Sequence, residues 1–185
     1  MFDLELTGSF LIAGIFILSL LNINAQVMEA NTLNNMNVSA QENAVGIAGM
    51  LQQDFNKIGF GLSSPDMSVT AYNDSGITFI ADIDKNSIPD TVSYRLGSRN
   101  EAVETENVND RFLYRSVNGV EYDVAIGLTS FKVSVFDAWK NPVVSSSEIR
   151  IITVSFTVET PFYFGDKTGR AEWKGSIVPN NLRTL

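Results

Sequence analysis

Residues 33–58, LNNMNVSAQENAVGIAGMLQQDFNKI, carry the clearest structural pattern in the chain. Its apolar side chains recur in steps of three and four residues, which is the spacing of one face of an α-helix. They are Leu33, Met36, Ala40, Ala44, Ile47, Leu51, Phe55 and Ile58. The steps form an 11-residue repeat, which keeps the apolar stripe on one side of a nearly straight rod. The stretch therefore predicts an amphipathic helix whose stripe packs on a core.

On its N-terminal side the helix continues into residues 1–26, MFDLELTGSFLIAGIFILSLLNINAQ, which are apolar almost without a break from Phe10 to Leu21. No proline occurs before Pro65, so the first 60 residues are predicted to form one helix that ends near Gly59 and Gly61. Such a rod is roughly 90 Å long, whereas a small domain spans about 30 Å. One end must project from the domain, and it is the apolar end.

Two carboxylates, Asp3 and Glu5, precede the apolar run, and no basic residue occurs before Lys57. A signal peptide or an ordinary membrane span usually carries positive charges on its flank. A carboxylate at membrane depth costs several kcal/mol unless it is paired with a cation. Glu5 is therefore expected to find a specific cation. The alternative is a solvated acid in the first turn, stabilised by the helix dipole.

After Pro65 the hydrophobic period changes from helical to alternating, as in residues 152–159, ITVSFTVE. The other predicted strands are residues 77–81, 91–96, 111–117, 120–124, 131–135 and 171–177. Asn118-Gly119 is a strong signal for a hairpin turn. The expected fold is α+β, with an antiparallel sheet packed on the amphipathic half of the helix. The predicted units are an apolar helix at residues 1–25, a stem helix at 26–62 and a β-rich domain at 63–185.

Composition excludes several classes of function. The chain has no cysteine and no histidine, which removes thiol chemistry and the commonest general base and transition-metal ligand. Its net charge of −8 argues against binding nucleic acid or anionic lipid. No nucleophile motif, phosphate loop or fixed carboxylate pair is recognisable, so we expect no enzymatic activity. An aromatic group, Phe162-Tyr163-Phe164 with Trp173, either binds a ligand or closes the end of a sheet.

One segment, residues 82–90 with the sequence DIDKNSIPD, resembles a calcium loop. Oxygen-bearing side chains occupy its first, third, fifth and ninth positions, namely Asp82, Asp84, Asn86 and Asp90. The glycine and the bidentate glutamate of a complete loop are replaced by Ser87 and Ser93. The segment is therefore either a polar turn between two strands or a calcium site, and no other cofactor is expected.

Several stretches in order resemble a known family. They are FDLEL at 2–6, LQQDF at 51–55, ITFIAD at 77–82, VSYRL at 92–96, AIGLTSF at 125–131 and PNNL at 179–182. With these motifs the chain resembles type IV pilins and the pseudopilins of type II secretion, most closely the minor PilW-like class. Unlike that family, it has a second acid at Asp3 and no proline in the twenties.

The resemblance implies a subunit that waits in the inner membrane and then joins a cell-surface filament of its own copies or of other pilins. It assigns Glu5 to pair with the Met1 amine of a neighbouring subunit, after a peptidase has removed a basic leader. It also places apolar side chains in the filament core, namely Phe10, Leu11, Ile12, Ile15, Phe16 and Leu18. The alternative is a single-span surface protein whose helix anchors a binding domain and never polymerises.

Overall fold

The computed structural model describes residues 2–183. One long helix, α1 (Phe2–Phe55), is followed by eight strands. The protein therefore has the predicted α+β fold, in which antiparallel β-structure packs on the helix. The strands are β1 (Val69–Asn73), β2 (Gly76–Ala81), β3 (Asp90–Leu96), β4 (Leu113–Val117), β5 (Val120–Ala125), β6 (Leu128–Phe136), β7 (Ile151–Glu159) and β8 (Arg170–Ile177). Four short 3-10 helices lie at Pro65–Met67, Arg99–Glu101, Ser146–Glu148 and Asn180–Leu182.

The strands form two sheets rather than the single sheet that was expected. Strands β1 to β5 form a five-stranded meander in sequence order, and β6 to β8 form a three-stranded one. The sheets meet where the Val133 amide of β6 donates to the Asp74 carbonyl in the β1–β2 turn, at 3.1 Å. At the β4–β5 turn, Asn118 and Gly119 have φ angles of 51° and 85°. The predicted hairpin is confirmed, because β4 and β5 pair antiparallel. The two residues between them have the positive φ angles that a tight two-residue turn requires.

The predicted helical stripe is the face of α1 that the sheets cover. Its members from Met36 to Phe55 are all at most 4% exposed, and Ile58 is fully buried just beyond the helix. Most of this length packs on β7 and β8 of the three-stranded sheet. The last turn packs on the five-stranded sheet, where the Phe55 ring lies 5.7 Å from both Phe79 and Tyr94 in edge-to-face geometry.

The helix ends at Phe55, before the predicted stop at Gly59 and Gly61. The Asn56 amide still donates to the Gln52 carbonyl, but the Gly59 amide donates to Ile80 of β2 at 3.0 Å. Pairing with the sheet thus replaces helical hydrogen bonds over the last turn. Both glycines have positive φ, 78° and 76°, and these angles turn the chain back towards the sheet.

Candidate functional site

The first half of α1 is almost uncovered by residues 29–183. The apolar side chains predicted for assembly are 63–71% exposed, and they are Phe10, Leu11, Ile12, Ile15, Phe16 and Leu18. We call residues 5–28 the projecting half of α1 and residues 29–55 the stem half. The last contact before the projecting half is an ion pair at 3.0 Å between Lys167 and Glu29.

The projecting half is long and apolar enough to cross a membrane, by length and composition. Its most apolar 18-residue window has a mean hydropathy of 2.1, and no other part of the described chain covers it. Exposed large apolar side chains run from Leu6 to Leu21 and continue at Ile23. From Leu6 to Ile23 the helix rises about 27 Å, slightly less than the roughly 30 Å thickness of a bilayer's hydrocarbon core.

Hydroxyl side chains within the projecting half are satisfied by the helix itself. Ser9 and Ser19 each donate to the carbonyl four residues earlier, at 2.9 Å, and Thr7 donates to the Asp3 carbonyl in the same way. Such back-bonding leaves no free hydroxyl donor. These polar residues are therefore compatible with an environment that excludes water.

The two acids at the start of α1 are exposed, and neither forms an ion pair with any of residues 2–183. Met1, the predicted partner of Glu5 in a neighbouring copy, lies outside the described residues. The N-terminal end of a helix favours negative charge, so Asp3 and Glu5 are well placed in a single hydrated chain. Once this end leaves water, each carboxylate needs a cation that the described part of the chain does not supply.

The acidic segment at 82–90 brings three of its four predicted ligands together. Oxygen atoms of Asp82, Asp84 and Asp90 lie within 4.8 Å of one another. Asn86 does not complete the set, because its side-chain oxygen accepts the Ile88 amide at 2.7 Å and its nitrogen donates to Asp84.

The buried carboxylates of this segment already have hydrogen-bond partners. Asp82 accepts the backbone amides of Asn86 and Ser87 at 3.1 and 2.9 Å. Asp90 accepts the Ile83 amide at 3.0 Å and the Asn118 side chain at 2.7 Å. These bonds are those of a tight polar turn, and calcium binding stays a prediction. A calcium titration that changed neither heat nor stability would dismiss it.

Two buried acids that the sequence analysis did not single out have opposite surroundings. Asp54, in the last turn of α1, accepts the Tyr94 hydroxyl at 2.8 Å and Arg115 Nε at 2.7 Å. Burial raises the pKa of the Tyr94 phenol, and the Asp54 carboxylate raises it further, so Tyr94 is a neutral donor. Asp110 is only 1% exposed, and neither of its oxygens has a hydrogen-bond partner.

Comparisons with protein-family models, with curated proteins and with solved structures found no match to this chain. The resemblance to type IV pilins therefore stays a prediction.

Proposed function

We propose that this protein is a pilin-like structural subunit that polymerises through the projecting half of α1 into a cell-surface filament. One observation carries the proposal. In a single helix, the apolar stripe of one half is buried by the chain's own sheets, whereas the other half carries a run, Phe10–Leu21, that is apolar on all sides and exposed. A helix that is hydrophobic all round requires a partner that surrounds it.

Lipid and a bundle of identical helices both satisfy this requirement. Nine large side chains between Phe10 and Leu21 are at least 50% exposed. Removing each from water stabilises the buried state by roughly 1.5–3 kcal/mol. This gain holds the monomer in a membrane and does not by itself favour leaving it, because lipid tails are as apolar as the bundle.

The preference of the subunit for the filament over the membrane then comes from helix packing and from the pairing of Glu5. In lipid its carboxylate has no cation, whereas a neighbouring copy offers one at its terminal amine, the role that the resemblance gives to Met1. Pairing removes most of the cost of a buried charge. Asp3 is exposed beside Glu5 and needs a cation of its own in the same setting.

The deciding experiment compares two charge reversals in the full chain. Glu5→Lys removes the assembly carboxylate, and Glu42→Lys makes the same chemical change on the exposed side of the stem half. Negative-stain microscopy of sheared surface material should show filaments for the wild type and Glu42→Lys. The Glu5→Lys chain should stay in the membrane fraction. Its globular part, which is the stem half together with the two sheets (residues 29–183), should remain folded.

Filaments formed by Glu5→Lys would contradict the pairing argument. If the wild type yields only detergent-soluble monomers, the single-span anchor without polymerisation is the better account of the same helix.

A further inference from the structure

The loop between β7 and β8, residues 160–169, points along α1 towards the projecting half. Where β8 begins, the Arg170 amide donates to the Asn37 side chain at 3.1 Å. Earlier in the loop, Lys167 reaches Glu29, two helical turns nearer the N-terminus. This loop is therefore at the end of the globular part that faces the apolar segment.

Three apolar side chains are exposed at this end. Phe162 and Phe164 of the loop are 48% and 41% exposed, and Val108 of a neighbouring loop is 75% exposed. The loop that carries Val108 meets the β7–β8 loop here, because the amide of Asn107 donates to the Pro161 carbonyl at 3.2 Å. We call Phe162, Phe164 and Val108 the apolar tip.

The apolar tip is close to where a membrane surface would lie. Glu29 is eight residues beyond Leu21, which is about 12 Å along the helix axis. The helix surface between them is partly apolar, since Ile23, Val27 and Met28 are 51–63% exposed.

We infer that the apolar tip docks into the headgroup layer of the membrane that holds α1, so that the unassembled subunit is attached at two points. The inference rests on the membrane-held state of the proposed function. Exposed Phe side chains on surface-bound segments bury at the boundary between headgroups and acyl chains. Of the charges near the tip, Lys167 is paired with Glu29, and Asp166, Glu104 and Glu106 are negative. The lipid that the tip contacts is therefore electrically neutral rather than anionic.

Docking at two points fixes how the globular part is tilted and rotated relative to the bilayer. A chain attached by α1 alone would be free to rotate about the helix axis. The second contact therefore presents the stem half of every waiting subunit in a similar orientation.

The chain has no cysteine, so a single introduced thiol can carry an environment-sensitive dye. Phe164→Cys places the dye on the apolar tip. Trp139→Cys is the matched control, since Trp139 is 75% exposed in the loop after β6. Phe136 at the end of β6 pairs with Ile151 at the start of β7, so this loop lies at the opposite end of the sheet from residues 160–169.

Each labelled full-length chain is inserted into phosphatidylcholine vesicles that carry a quencher on the headgroup. We expect the dye at position 164 to be quenched at least threefold more than the dye at position 139. Adding anionic lipid should reduce the difference, and an increase would contradict the assignment to neutral lipid.

Equal, weak quenching at both positions in chains that float with the vesicles would overturn this inference and leave the membrane-held subunit intact. A dye at position 164 that is shielded from water but not quenched by lipid would assign the apolar tip to a second copy instead. Chains that do not float at all would overturn both proposals.

Discussion

The two halves of α1 belong to one continuous helix, but the sheets of the chain cover only one of them. In the stem half, apolar residues occupy one stripe, and two sheets of the same chain cover it. In the projecting half, apolar residues occur on every side, and no part of the chain between residues 29 and 183 covers them. The comparison shows that the distribution of apolar residues around a helix indicates the geometry of its partner. A stripe needs a surface on one side, whereas a uniformly apolar helix needs an environment on all sides.

The largest expected difference between the halves comes from one substitution made in each. Leu51→Ala removes a fully buried side chain, and we expect it to lower the free energy of unfolding of the globular part by about 2–5 kcal/mol. Leu18→Ala removes the same atoms from a side chain that is 67% exposed, and the unfolding transition should not change. Urea denaturation of both variants measures the contrast. Equal losses would show that the globular part also covers the projecting half.

A second effect is expected where the stem half ends on the five-stranded sheet. Arg115→Met leaves the buried Asp54 carboxylate with only the Tyr94 hydroxyl, which should cost about 3 kcal/mol of folding stability. The control is Arg95→Met, which breaks a solvent-exposed pair with Glu121 and should cost much less. Thermal unfolding of the two variants gives the comparison, and a control that is equally damaging would contradict the special role of burial.

A third prediction concerns how the folding stability of the globular part changes with pH. Burial and, to a smaller extent, the nearby Glu159 carboxylate raise the pKa of Asp110 from 3.8 to about 6. Because the folded state binds this proton more tightly than the unfolded state, stability should rise as the pH falls from 7 to 4. The gain is at most about 3 kcal/mol. Asp110→Asn should remove this part of the pH dependence, as measured by denaturation at several pH values. An unchanged pH profile would contradict the assignment to Asp110.

The smallest effect is expected at the boundary between the halves. Lys167 and Glu29 are both about half exposed, and solvent screening makes such pairs contribute little. Lys167→Ala should leave the unfolding midpoint within experimental error of the wild type. A decrease comparable to that of Leu51→Ala would show that the loop at 160–169 is a main attachment of α1 to the globular part.

Patterns local in the chain predicted much of this structure. The three-and-four spacing from Met36 to Ile58 identified buried positions, because helical period and burial are both set by neighbours along one element. The Asn118-Gly119 turn was recognised because positive φ has a residue preference. The apolar run identified the projecting half, because a run of apolar residues is also a pattern within one element.

Features that depend on contacts between distant segments were not predictable. Strand β1 was missed because four of its five residues are exposed, so it lacks an alternating pattern. The division into two sheets is a matter of pairing rather than of sequence period. In the candidate metal segment, residue types alone did not reveal that the Asn86 side-chain oxygen accepts a hydrogen bond from the Ile88 amide. The buried Asp54 carboxylate is paired with Arg115, which is 61 residues away along the chain.

The most direct test of the two modes of burial is thiol labelling of full-length chains in membrane vesicles during a urea titration. Single cysteines replace Leu18 in the projecting half, Leu51 in the stem half and Val144, which is 96% exposed. A water-soluble maleimide should label position 144 throughout. It should label position 51 only as the globular part unfolds, and it should leave position 18 protected by lipid. Reaction at position 18 from the start, or together with position 51, would contradict the account.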